Sequence, residues 1–177
     1  MQRNFNRPAV RYLVALLVTG LGLNAQADIS TGTMTVSADI AAVCSVSATP
    51  MAFASVVPGI TKEAESVISV TCTSGTTYTL DLGDGQNHTD TGGTTTPYRR
   101  QMASGANLLP YMVFQETARA TEIAATASAA ATNNLLTSTV GTGSAQTKKV
   151  FGSVLGAESV TNPSGSYADL VVITIAF

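Results

Sequence analysis

Alternation with a period of two is the feature that most restricts what this chain can become. In "DISTGTMTVSADIAAVCSV", Met34, Val36, Ala38, Ile40, Ala42 and Cys44 are separated by residues that are mostly smaller or polar. Side chains of an extended strand point to opposite faces in turn, so this spacing predicts a strand with one buried face. The run is about twice the usual strand length, which predicts two strands in line with a break near Ala41. The same pattern returns along the chain. Val67 to Thr73 and Thr76 to Leu82 flank Ser74-Gly75 and predict a hairpin or close strand pair. Shorter runs follow at Arg99 to Met102 and Tyr111 to Gln115, then in "TKKVFGSV" and "SYADLVVITIAF".

Turn formers separate these runs. Pro50, Pro58 and Gly59 make "TPMAFASVVPG" an edge strand or a loop, and Gly83 to Pro97 is composed so as to form a long exposed loop. Only Ala120 to Asn134 has alanines enough for a helical turn or two, and Thr and Ser dilute it, so helix and loop both stay open. About eight short strands with turns every ten to fifteen residues predict an all-β antiparallel sandwich of immunoglobulin-like size.

The N-terminus is set apart from that fold. Arg3, Arg7 and Arg11 precede the uncharged apolar run Leu13 to Leu23, and Ala25-Gln26-Ala27 follows. This is the plan of a secretory signal peptide over 1–27, and the run is well short of the roughly 20 residues a spanning helix needs. Cleavage before Asp28 leaves a chain of one-domain size. Removing three of nine basic residues and none of the 11 acidic ones leaves six against 11, a net charge of −5. That balance disfavours nucleic acid as a partner. Export also bears on the two cysteines: Cys44 and Cys72 pair most simply with each other. Closing that loop would stabilise the fold by about 3.5 kcal/mol on the chain-entropy estimate.

Catalytic chemistry has little to work with. His88 is the single imidazole, it lies in the "GQNHTDTGG" loop, and no Gly-x-Ser-x-Gly elbow presents a serine to it. Asp81, Asp84 and Asp90 lack the spacing of a calcium loop and read as turn formers. Asn87-His88-Thr89 matches a glycosylation sequon by composition alone. Arg99-Arg100 and Lys148-Lys149 read as solvated strand ends or edges. The expectation is therefore a non-enzyme with no cofactor and no metal.

Function is better sought in the last strand, which is the most hydrophobic in the exported part. Val171, Ile173, Ile175 and Phe177 share one face, and Leu170 and Val172 make part of the other face apolar as well. Such a strand is expected inside a sheet with a neighbour on each side, because a long apolar edge invites uncontrolled pairing.

Taken together, the alternating run ending in "VC" at Cys44, "VTCTSGTTYTLDLGDG", "RQM" at Arg100, "YMVFQETARAT", "GSAQTKKVFGSV" and "GSYADLVVITIAF" resemble the spore coat U domain subunits of archaic chaperone–usher pili. The resemblance covers nearly all of the exported chain. It implies an incomplete immunoglobulin-like sandwich over 42–177 that lacks its seventh strand, and a periplasmic chaperone that lends one. An outer-membrane usher then exchanges the loan for the N-terminal segment of another pilus subunit. Carried onto this sequence, the donor segment is 28–41, with Gly32, Met34, Val36, Ala38 and Ile40 entering the neighbour's groove. Val171, Ile173 and Ile175 would line the acceptor groove, and the carboxylate of Phe177 would anchor the chaperone. Main-chain ladder bonds would supply affinity and alternate side chains would select pockets. Some eight bonds at about 1 kcal/mol each, with four or five side chains at roughly 1–2 kcal/mol each, give a gross gain above about 10 kcal/mol before ordering costs.

The function implied is a structural pilus subunit at the cell surface, acting in adhesion and biofilm formation. Two alternatives remain at this point: a secreted coat protein that completes its own sandwich, with Met34 to Ile40 as an ordinary first strand, and a minor tip adhesin.

Overall fold

The computed structural model describes residues 27–89, 99–123 and 134–177. The signal-peptide reading lies outside these residues but for Ala27. So do most of the helix-permissive stretch and the part of the long loop from Asp90 to Pro97. The chain divides into two units, Met1–Ala38 and Asp39–Phe177. In the first, residues 27–38 carry no helix or strand and are exposed.

The second unit is an antiparallel sandwich. Its strands are β1 (Cys44–Ala48), β2 (Lys62–Cys72), β3 (Thr77–Leu82), β4 (Arg100–Ser104), β5 (Asn107–Phe114), β6 (Asn134–Val140), β7 (Gln146–Val154) and β8 (Ile173–Ala176), with one helical turn, α1 (Gly156–Ser159), after β7. One sheet has the order β1-β2-β7-β5-β4 and the other β6-β3-β8. Alternation supplies the packing between them. Ile68, Val70 and Cys72 of β2, Tyr78, Leu80 and Leu82 of β3, and Val150 and Val154 of β7 are all buried in one core. The all-β expectation is met.

Several local readings are corrected by the pairing. β2 and β3 are not a hairpin: the turn at 73–76, with Gly75 at φ +84° and Thr76 N–H donating to Thr73 C=O at 3.0 Å, carries the chain from one sheet to the other. The long alternating run forms only β1, in register Cys44↔Cys72 to Ala48↔Ile68, and the residues before Cys44 join no ladder. "TPMAFASVVPG" is a loop that buries Phe53 against Tyr111, ring centroids 6.2 Å apart. β6 was hidden from the pattern because Ser138 has φ +47° and the register with β3 shifts at Leu80, so its period is broken. The disulfide between Cys44 and Cys72 is present and joins β1 to β2 at one end of the sandwich.

Strand directions follow from this order. β1 is antiparallel to β2, the 73–76 turn reverses the chain into β3, and β8 is antiparallel to β3. β8 therefore runs opposite to β1, starting at the end far from the disulfide, where Ile173 pairs with Leu82, and finishing towards the disulfide end, where Ala176 pairs with Thr79.

Candidate strand-acceptor groove

The last strand is an edge, contrary to the interior position its composition suggests. β8 pairs with β3 on one side and, among the described residues, with no strand on the other. It is also shorter than the apolar run, although Gly83 N–H donates to Val172 C=O at 2.8 Å just before it. Earlier still, Ala168 bridges Ala103 of β4. The chain thus crosses from the edge of the larger sheet to the smaller one between Ala168 and Ile173.

That crossing leaves a gap between the layers. Val171, Ile173 and Ile175 are half-buried and pack on the core, whereas Leu170 (60% exposed), Val172 (55%) and Phe177 (60%) are turned outward. An open cleft of about 470 Å³ has Ile68, Leu82, Val113 and Val150 among its lining residues, together with Ala48 to Met51 and Leu170, Val171 and Ile173. Two of the three expected groove residues line it, and Ile175 packs on the core beyond it. A second cleft of about 770 Å³ shares Met51, Met102 and Tyr167 with the first and extends past Phe53 to Asn162. Core side chains are among the lining residues of both, and β8 has no second strand beside it among the described residues.

The expected donor residues are uncovered. Ile29, Met34, Val36 and Ile40 are 81–87% exposed, and Gly32 and Ala38 are exposed as well. Exposing four large apolar side chains in one short segment costs about 1.5–3 kcal/mol each relative to burial.

A buried polar cluster lies next to Tyr111 and Asp169, two of the residues lining the cleft, and no period or motif announces it. Arg100, read as a solvated strand end, is 2% exposed. Its Nε donates to Gly83 C=O at 3.1 Å, its Nη1 donates to Ile123 C=O, and its Nη2 faces Asp84 Oδ1 at 3.6 Å. Asp84, read as a turn former, is equally buried. Burial pushes the Arg100 guanidinium below its ordinary range, against the opposing pull of Tyr111, Asp84, Glu122 and Asp169. Asp169 accepts from Gln86 N–H at 2.9 Å and from the Asn87 side-chain amide at 3.2 Å. A side chain on Gly85, which has φ +86°, would collide with the Asp169 carboxylate. His88, expected to be solvated, is half-buried with its Nδ1 2.8 Å from Gly85 C=O. No group of three or more metal-ligating side chains occurs among the described residues.

One family model matches most of the chain. The Spore Coat Protein U domain matches residues 30–174. No curated protein matches the chain. Among solved structures, one similar chain comes from the "CsuC-CsuE chaperone-tip adhesion subunit pre-assembly complex from archaic chaperone-usher Csu pili of Acinetobacter baumannii", at 17% identity and a TM-score of 0.46. That alignment covers 78% of this chain and 40% of the other, so this chain spans less than half of that relative's length.

Proposed function

The chain belongs to the Spore Coat Protein U domain family, and from that premise we propose that it is a structural subunit of a surface pilus that polymerises by strand donation. One observation carries the reading: an exposed alternating apolar segment and an uncovered groove beside an edge strand occur in the same chain. Residues 28–41 of one copy, led by Met34, Val36, Ala38 and Ile40 with Gly32, fill the groove of another beside Val171, Ile173 and Ile175. Before that exchange a periplasmic chaperone supplies the strand, with Phe177 as its anchor, and an outer-membrane usher passes the subunit to the cell surface. Adhesion and biofilm formation are the roles such a fibre serves.

Strand direction favours a second copy over self-completion. The segment leaves the sandwich at the disulfide end, so laid in its own groove it would run parallel to β8. Antiparallel pairing, used by every ladder of the described strands and somewhat more stable, would require its C-terminal end at the far end of the groove. The three residues from Ala41 to Val43 reach only about 10 Å, less than the roughly 17 Å of β1 they would have to retrace.

Deleting residues 28–41 tests the proposal. The shortened subunit is expected to be recovered with its chaperone and to be missing from the heat-labile ladder that unheated detergent gels show for strand-linked polymers. Intact fibres from the deletion would overturn it. Monomers from the full chain together with an unfolded deletion variant would support the self-completed coat protein instead.

A further inference from the structure

We propose, resting on the pilus-subunit reading, that the turn at 57–60 and α1 form a docking platform for the disulfide-bearing end of the next copy. The argument begins with the tether. A donor segment lying antiparallel to β8 has its C-terminal end beside the start of β8, at the end far from the disulfide. Three residues later its own β1 begins at Cys44. That link spans about 10 Å, so the donor's disulfide end is held against the acceptor's far end whatever the rest of the fibre does.

Both ends carry exposed apolar side chains that the groove does not use. Lys62↔Val154 marks the far end of the β2–β7 ladder. Just beyond it, Val57 (53% exposed), Ile60 (61%), Leu155 (36%) and Val160 (59%) flank the 57–60 turn and α1. At the opposite end Val43 (60%) and Val140 (54%) sit on either side of the 73–76 turn: Thr73 N–H donates to Val43 C=O at 2.9 Å and Gly75 N–H to Gly141 C=O at 2.9 Å.

The platform is stiff, as a docking surface needs to be. Gly59 N–H donates to Gly156 C=O at 3.2 Å, Ile60 N–H to Val57 C=O at 3.0 Å, and Ser159 Oγ to Gly156 C=O at 2.8 Å. The two segments approach so closely that a Cβ on Gly156 would overlap the Gly59 backbone. Two preformed apolar surfaces brought together by a short tether associate at high effective concentration, so modest burial suffices.

The experiment uses fibres sheared from cells producing the full chain with p-benzoylphenylalanine at position 160. Irradiation is expected to cross-link it to peptides containing Val43 or Val140 of another copy. The pair Ile60→Ser and Val160→Ser is expected to leave the detergent-resistant ladder in place while lowering fibre yield several-fold. An intact ladder with no such cross-link, or an unchanged yield from the double variant, overturns the platform and leaves strand donation standing. Absence of any ladder from the unaltered chain overturns the pilus-subunit reading itself.

Discussion

The Tyr111 hydroxyl donates to Asp169 Oδ2 at 2.7 Å, tying β5 of the larger sheet to the segment that leads into β8. Asp169 also holds the 85–87 loop, so one carboxylate fixes the entrance of the groove from two sides. Burial, then the hydrogen bond and charge of Asp169, push the Tyr111 hydroxyl well above its ordinary range. With the folded value raised, this stabilisation is complete below about pH 10, where an unfolded tyrosine titrates, and is lost as pH rises beyond it. Tyr111→Phe is expected to lose about 2 kcal/mol at pH 7, a drop of roughly 4–8 °C in melting temperature. Between pH 9 and 11 the variant should lose less further stability than the parent. Parallel slopes in thermal melts across that range would contradict the assignment.

Arg100 offers a second test at the same site. Its guanidinium bridges Gly83 and Ile123 carbonyls from two different loops and gives Asp84 a buried counter-charge. Arg100→Met keeps much of the volume and removes all three interactions, and is expected to cost about 3–5 kcal/mol. Urea unfolding of the variant measures it. A loss below about 1 kcal/mol would mean that Arg100 is as peripheral as its place in a polar dipeptide suggests.

These two sites show what pattern reading can and cannot reach. Period-two spacing located β2 as a strand with Ile68, Val70 and Cys72 on its apolar face, because burial of those residues depends on one strand packing on another layer. Arg100 and Asp84 have no such signature. Their burial depends on loops that meet only when both sheets are assembled, and an isolated Arg or Asp looks the same in solvent. The Ser74-Gly75 turn was legible too, since a glycine at φ +84° suits it, but hairpin and sheet-to-sheet corner need the same local residues. The hydrophobicity of β8 gave the opposite of a literal reading. It has the composition of an interior strand and the position of an edge, and that mismatch is what points to a strand from elsewhere.

The disulfide should matter most where β1 begins. Cys44 pairs with Cys72 in the ladder as well as through sulfur, so the bond pins the start of the wall opposite β8. Cys44→Ala with Cys72→Ala is expected to cost about 3.5 kcal/mol, the chain-entropy estimate for a loop of this length. The fall in urea midpoint checks the size. Subunit recovered with chaperone should fall with it, because the groove loses a fixed edge.

The final prediction uses the period of two itself. If 28–41 inserts as a strand, its alternate side chains face opposite sides, and only one set meets the groove. Val36→Asp puts a charge where an apolar side chain is buried, forfeiting about 1.5–3 kcal/mol of burial and adding the cost of desolvating a carboxylate. Thr35→Asp places the same charge one residue earlier, on the outward face. The ladder on unheated gels is expected to vanish for Val36→Asp and Met34→Asp and to persist for Thr35→Asp and Ser37→Asp. Both sets leave residues that are exposed in the single subunit, so neither is expected to disturb its own fold. Equal sensitivity at all four positions would argue against a strand and for a less ordered contact, since no other geometry distinguishes neighbours in this way.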